Sequence, residues 1–416
     1  MNLKLFILTL FSFSTLVINA QSDSSSPYSL YGLGMENSNY FGGFTALGNT
    51  GIGYRSSSNI NKSNPASLSS TSTQSFLYEF GLNSTFSNKK DKSTTQHESD
   101  FNFTHLAMAF ALKNNWGLSF GLLPYTKVNY EIDIVKPIEG NTNYYLTNII
   151  GAGGINQVFF SSGIKVVENL SFGVEIAALF GSITQKQWIY VGNTTSYIKK
   201  SDNFFGLGLN AGIQYTIKNI VGTETTIGAT INMPTTLNGK NHDFEGYKTM
   251  EGTQISIYDN SDDDLNDFDL PLKLGIGISS KINANFLVNM DYRKNYWSET
   301  DQTSSNNSFN NQTIYGIGVE YKLSSDLNNY WNRAKYRAGF NYNTGYLKIT
   351  DEEINNYNFS IGVGLPISKD GVSNVNINYS YGKEGTIKKQ LVEDKYHKLS
   401  INLSLLGHWF QKQKIF

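Results

Sequence analysis

The sequence predicts an all-β chain: a transmembrane antiparallel β-barrel of about 14 strands with an N-terminal hatch, or plug, inside the lumen. Three observations predict it. Apolar residues alternate with small or polar ones through most of the chain after residue 74, and no comparable helical stripe appears. Charges on these segments (Glu175, Lys273, Asp291, Arg293, Glu320 and Arg337) fall in the small, polar register. A barrel in lipid requires this, because a basic side chain at the bilayer midplane costs about 2–4 kcal/mol. Aromatic residues reach 14% while charged residues are only 16%, against about 25% charged in soluble domains.

Composition also excludes classes. With 33 basic and 34 acidic residues the net charge is −1, which argues against nucleic acid as a partner. The absence of Cys rules out disulfides, thiolate metal sites and a lipidated N-terminal cysteine.

Residues 1–20 read as a signal peptide. Lys4 precedes the apolar run Leu5–Val17, and Ile18-Asn19-Ala20 offers a small residue for cleavage. The run is shorter than the roughly 20 residues of a membrane anchor, and polar Gln21–Ser26 follows.

Residues 21–73 form the expected hatch. They hold Gly32, Gly34, Gly42, Gly43, Gly48, Gly51 and Gly53 and the turn Asn64-Pro65-Ala66, without alternation. Their Tyr28, Leu33, Phe41, Phe44, Leu47, Ile52 and Leu68 make them too apolar for a disordered linker.

Residues 74–416 form the expected barrel. Alternating segments lie near 74–84, 101–112, 116–130, 147–164, 170–188, 204–217, 224–233, 272–280, 285–293, 311–322, 334–342, 354–365, 374–381 and 398–409. A further segment at 251–258 reads as a loop hairpin, which keeps the count even. Polar stretches 87–100, 189–202, 238–250, 259–269 and 299–310 read as long outer loops, and Lys281–Ala284 as a short periplasmic turn. Trp409-Phe410 and Phe416 resemble a barrel-assembly mark that Lys412 and Lys414 interrupt.

The residues resemble the FadL-type outer-membrane transporters of long-chain fatty acids and other hydrophobic compounds. Gly43–Ser70, with Asn64-Pro65-Ala66, is similar to that family's hatch and NPA motif. Trp116–Tyr125 is similar to its third strand, Gly151–Gln157 to the next, and Pro271–Arg293 with Tyr336–Gly385 to its C-terminal half. The resemblance implies a plugged barrel of about 14 strands, with capture outside and sideways release into the membrane at a kinked strand. Pro124 is the candidate kink, because proline cannot donate to a ladder; simple strand termination is the alternative. Implied partners are fatty acids or similar hydrophobic small molecules, outer-membrane lipid and the barrel assembly machinery. An alternative implied role is protein export or surface attachment, as in the type IX secretion member of that family, although Asn59–Ala66 lacks the acidic residue expected there.

Arg55, Lys273, Arg293 and Arg337 are candidates to meet a carboxylate head group in the lumen; alternatively they neutralise inward acids such as Asp291 and Glu320. The hatch candidates are Asn64, Pro65, Ala66, Gly48, Gly51 and Gly53. Asp262–Asp264, Asp267 and Asp269 lack EF-hand spacing and read as a solvated acidic loop. The five His show no metal spacing, and no G-x-S-x-G element marks a hydrolase. No cofactor, metal or enzymatic activity is expected.

Overall fold

The computed structural model describes residues 26–37, 40–140, 144–191, 194–220, 223–248, 254–300, 307–323, 329–368 and 371–408. The signal-peptide segment 1–20 and the terminal aromatics Trp409, Phe410 and Phe416 lie outside the described residues.

In chain order the strands are β1 (Met35–Glu36), β2 (Ser75–Lys90), β3 (Thr95–Lys113), β4 (Trp116–Pro124), β5 (Thr126–Pro137), β6 (Tyr144–Val167) and β7 (Leu170–Val191). They continue with β8 (Thr194–Ile220), β9 (Thr223–Asn232), β10 (Thr235–Lys248), β11 (Gln254–Leu270), β12 (Lys273–Lys281) and β13 (Phe286–Asn295). The last are β14 (Asn307–Phe309), β15 (Gln312–Tyr321), β16 (Lys335–Asn343), β17 (Leu347–Ile349), β18 (Glu352–Glu353), β19 (Asn356–Pro366), β20 (Asn374–Gly385) and β21 (Glu393–His408).

β2 pairs with β21 from Ser75↔His408 to Lys90↔Glu393, which closes the antiparallel sheet into a cylinder. β4 and β5 both pair with β6, β9 and β10 both pair with β8, and β11 and β12 continue one another against β10 and β9. Setting β1 aside and counting each broken pair as one stave, the wall has 14 staves. The breaks fall at Pro124, Met233-Pro234 and Pro271-Leu272. A proline has no N–H to give a ladder, so each break has a local cause.

The outward register is apolar and uncovered: Ile176 is 57% exposed and Leu207 64%. Only lipid makes such a surface favourable. Glu175, Asp291, Glu320 and Arg337 are buried inside, as their register requires. The structure contains an outer-membrane-type barrel, and among the described residues no helix is long and apolar enough to cross a membrane.

The expected outer loops differ from what is observed. Most of 87–100, 189–202, 238–248 and 259–269 is strand, and β6, β7 and β8 run 24, 22 and 27 residues, where about 9–11 suffice to cross. Beyond the lipid both faces of a strand meet water, so pairing persists while apolar alternation disappears. Residues 254–258, expected in a loop hairpin, likewise begin β11, the outer half of the eighth stave.

Candidate functional site

Residues 26–37 and 40–73 lie in the lumen, reaching from the end bearing the long hairpins to the end bearing the short turns. At the first end Tyr28 Oη donates to Val392 O at 2.5 Å, and burial pushes that hydroxyl up to about 12, so it stays a donor. At the other end Ser69 Oγ donates to Ser171 Oγ at 2.9 Å, and the chain enters β2 opposite His408.

Asn64 is fully buried. Its Oδ1 accepts from Ala66 N at 3.0 Å, capping the 3-10 turn Pro65–Ser70, and its Nδ2 donates to Ile52 O at 2.9 Å and Ile213 O at 3.2 Å. One side chain thus ties the turn to an earlier loop and to β8. Pro65 occupies the first turn, where its missing N–H costs nothing. A side chain at Gly212 would collide with Asn64, and one at Gly173 with the Pro65-Ala66 backbone. Gly48, in the left-handed region, gives its carbonyl to Asn341 Nδ2 at 3.3 Å and packs on β15 and β16. Gly51 N and Ile52 N donate to Asp291 Oδ2 at 2.8 and 3.1 Å. Gly53 lies against the backbones of Ser279 and Thr226.

The four candidate cations separate. Arg337 donates to Glu320 Oε2 at 2.8 Å and Asn376 Oδ1 at 2.8 Å. Arg293 donates to Asp291 Oδ2 at 2.6 Å and Asn49 O at 2.9 Å, stacked over Tyr40. Among the described residues Arg55 hydrogen-bonds to hydroxyls, those of Ser70, Ser69 and Thr216, at 2.8, 3.0 and 3.4 Å. Lys273 donates to Glu36 Oε1 at 2.6 Å and Tyr125 Oη at 3.0 Å. Lys273 and Arg293 line a luminal cavity of about 380 Å³; Arg55 and Arg337 do not. Its lining combines apolar side chains of one buried cluster, Leu179, Leu270 and Leu347, with amides such as Asn210, Asn232 and Asn295.

Beside this cavity the barrel wall is incomplete. β3 pairs with β2 along nearly all its length but with β4 only between Leu106↔Leu122 and Lys113↔Trp116. Past Pro124 the chain turns inward: Val128 and Tyr130 are buried, and β5 follows β6 alone on the wall. Among the described residues no ladder joins Thr95–His105 to β5. β6 bends with β5 at Gly153 and Gly154, whose φ of 120° and 141° suits glycine. The opening is bridged by side chains: Lys127 Nζ donates to Asp100 Oδ2 at 2.6 Å and Asn102 Oδ1 at 2.8 Å. On its luminal side β1 pairs with β5 through Met35↔Lys127 and Glu36↔Thr126.

A family model described as BamG matches residues 1–416. The chain belongs to the BamG family. No curated protein matches it. Among solved structures, this BamG-family barrel shares its fold with the Ralstonia pickettii toluene transporter TbuX (17% identity, TM-score 0.59, covering 89% of this chain and 100% of that one). It shares it also with the Pseudomonas putida toluene transporter TodX (17%, 0.58, covering 89% and 98%) and a Pseudomonas aeruginosa FadL homologue (11%, 0.60, covering 89% and 98%). The FadL-type fold read from the motifs is therefore the fold of the BamG-family chain, and two of these neighbours, TbuX and TodX, are described as toluene transporters.

Sequence reasoning missed several groups. Glu36, Lys62, Asp100 and Lys127 carried no signal because their partners lie far along the chain, as when Lys62 meets Glu175 at 2.5 Å. The inward glycines did carry one: strands with glycine at successive luminal positions mark where another backbone lies against the wall.

Proposed function

We propose that this BamG-family barrel takes up hydrophobic or amphipathic small molecules, long-chain fatty acids or similar, and releases them sideways into the surrounding lipid, with residues 21–73 acting as the hatch. The observation that carries this reading is the wall opening beside Pro124, adjacent to a cavity lined by both apolar and polar side chains. A sideways exit spares an apolar solute a water-filled path, and the mixed lining suits a tail and a head group. Lys273 and Arg293 are the proposed head-group residues; Arg337 and Arg55 are proposed to hold the hatch in place. Lipid is the proposed acceptor, and the barrel assembly machinery the proposed route of insertion.

The test is uptake of labelled dodecanoate and toluene by cells with and without the protein, at matched outer-membrane integrity. The chain has no Cys, so S69C/S171C makes a clean disulfide between hatch and wall. The expected outcome is uptake that depends on the protein, falls at least tenfold in the oxidised lock and returns on reduction. Normal uptake through the locked hatch sinks the mechanism.

The amides of that lining favour a second reading, a docking barrel in protein export or surface attachment. Its signature in the same strains is unchanged uptake of every hydrophobe, with altered surface or secreted proteins and barrel assembly components co-purifying.

A further inference from the structure

We propose that the outward face of the β20–β21 hairpin binds the phosphate-bearing headgroup of an outer-leaflet lipid, with Lys383 and Lys395 as the cations that hold it. The site lies on the outside of the wall and is independent of the transport reading.

Burial fixes which residues of this hairpin face lipid. Asn374, Asn376 and Asn378 of β20 and Ser400, Asn402 and Ser404 of β21 are buried on the luminal side, so the odd-numbered residues of both strands point outward. Read toward the outer end, β21 presents Leu403, Ile401, Leu399, His397 and Lys395 there, and β20 presents Val375, Ile377, Tyr379, Tyr381 and Lys383. Each strand passes from aliphatic through aromatic or imidazole to lysine, which is the order of a lipid's chains, interface and headgroup. From Leu405 to Lys395 the strand climbs about 26 Å, at about 3.4 Å per residue and a tilt of about 40°, close to the roughly 25 Å height of an apolar band. The two ammoniums therefore stand at the headgroup level. Beneath them is a ring cluster, with Tyr379 Oη and His397 Nδ1 hydrogen-bonded at 2.7 Å and the Tyr381 ring 5.2 Å from that imidazole.

The charge balance at this level calls for an anion. Lys383 and Lys395 are directly opposite one another, an arrangement that is destabilising without a shared counter-ion. Glu393 gives one carboxylate to both, at 2.7 Å from Lys383 and 3.4 Å from Lys395. One positive charge is left over, and Lys395, 50% exposed at its side chain, is free to turn its ammonium toward another oxyanion. The row of the two lysines continues through Asn88 to His97 on one side and to Tyr357 on the other, without an acid among these residues. Exposed Lys90 of β2 pairs with Glu393 of β21 in the next row. A second opposed pair, Lys186↔Lys199 on β7 and β8, has different neighbours. Its row reaches Glu131 through Ile150 and Asp259 through Phe244, and both acids are exposed, so they offset that pair from its flanks. In a chain of net charge −1 the cationic excess on β20–β21 is local, and a phosphate can accept from both lysines at once.

The experiment uses the purified full-length protein in detergent and counts bound lipid by native mass spectrometry. The probes are diphosphoryl lipid A, the same glycolipid after enzymatic dephosphorylation, and inorganic phosphate as competitor. Wild type is expected to hold lipid A about tenfold more tightly than the dephosphorylated form, with the difference shrinking as ionic strength rises. K383Q/K395Q should remove the difference and K383R/K395R should keep it. K186Q/K199Q, the acid-flanked pair, should leave it unchanged. A heat-modifiable band on gels establishes that each variant is folded; if K383Q/K395Q is not, Lys395→Gln alone is expected to lose most of the preference. Equal losses from the two lysine pairs would mean general attraction to a charged surface and would overturn the site. Equal binding of the phosphorylated and dephosphorylated forms would overturn the headgroup assignment, and so would inorganic phosphate that displaces lipid A at equal concentration, since the site would then take a free anion rather than a lipid.

Discussion

Gly212 and Gly208 lie four residues apart on the same luminal face of β8, yet they do different work. A Cβ at Gly212 collides with the Asn64 side chain, whereas one at Gly208 meets its first neighbour, Thr235 Oγ1, at an ordinary 3.4 Å. Gly212→Ala is therefore expected to cost about 1–3 kcal/mol, as overpacking does, and to loosen residues 60–70 toward protease. Gly208→Ala should change stability by less than about 0.5 kcal/mol. Urea unfolding and limited proteolysis compare the two; equal effects would mean that the hatch does not set the need for glycine. Asn64 offers a sharper contrast. Asn64→Ala loses the cap and two buried amide bonds and should cost about 1–2 kcal/mol, since Gln214 Nε2 still donates to Ile52 O at 2.9 Å. Asn64→Asp keeps the acceptor but sets a charge against the Ile52 and Ile213 carbonyls, so it should be the worse of the two in the same urea titration.

At the scale of elements, the wall was legible because lipid outside and the N-terminal segment packed inside impose opposite demands on alternate residues, and period two survives wherever both act. Leu207 and Leu209 alternating with Gly206, Gly208 and Asn210 on β8 show both demands in one strand. Beyond the lipid the outer demand vanishes, which is why the paired arms of β10 and β11 read as loops. Of the candidate site, Lys273 and Arg293 were visible as inward cations, but their partners were only half visible. Asp291 is two residues from Arg293 on the same strand, while Glu36 lies 237 residues from Lys273, and no local pattern connects them. The opening itself has a measurable consequence. Edge strands with unpaired N–H groups exchange quickly, so the gap-facing amides of Thr95–His105 and Glu131–Lys136 should exchange far faster than those of the β6–β7 ladder, read by hydrogen exchange in detergent. Uniform protection around the barrel would mean that the wall is closed in solution.

At the scale of the whole molecule, residues 26–73 complete the electrostatics of the lumen as well as fill it. Three buried wall carboxylates take partners from this segment: Glu175 from Lys62 at 2.5 Å, Asp291 from the amides of Gly51 and Ile52 at 2.8 and 3.1 Å, and Glu79 from the amide of Ile60 at 3.4 Å. The wall contributes as well, since Ser161 and Asn210 each donate to Glu175 at 2.7 Å and Ser404 to Glu79 at 2.7 Å. Those bonds remain without the hatch, but each carboxylate loses one of its strongest partners, and removing one side of a buried charge pair costs about 3–5 kcal/mol where water does not replace it. A chain lacking residues 26–73 should therefore assemble poorly, with a weak heat-modifiable band and a lowered urea midpoint. Water entering the emptied lumen would soften that cost, so neutralisation is the discriminating measurement. Glu175→Gln keeps the side-chain volume and removes the charge that loses its cation with Lys62, whereas Asp291 keeps Arg293 of the wall at 2.6 Å. The hatchless Glu175→Gln variant should regain much of the folded band, while the same substitution in the full-length chain should destabilise it by leaving Lys62 buried without its partner. Rescue in one background and damage in the other would establish that residues 26–73 and the wall share one set of charges; a hatchless barrel that assembles as well as the full chain without the substitution would show that the wall holds its carboxylates unaided.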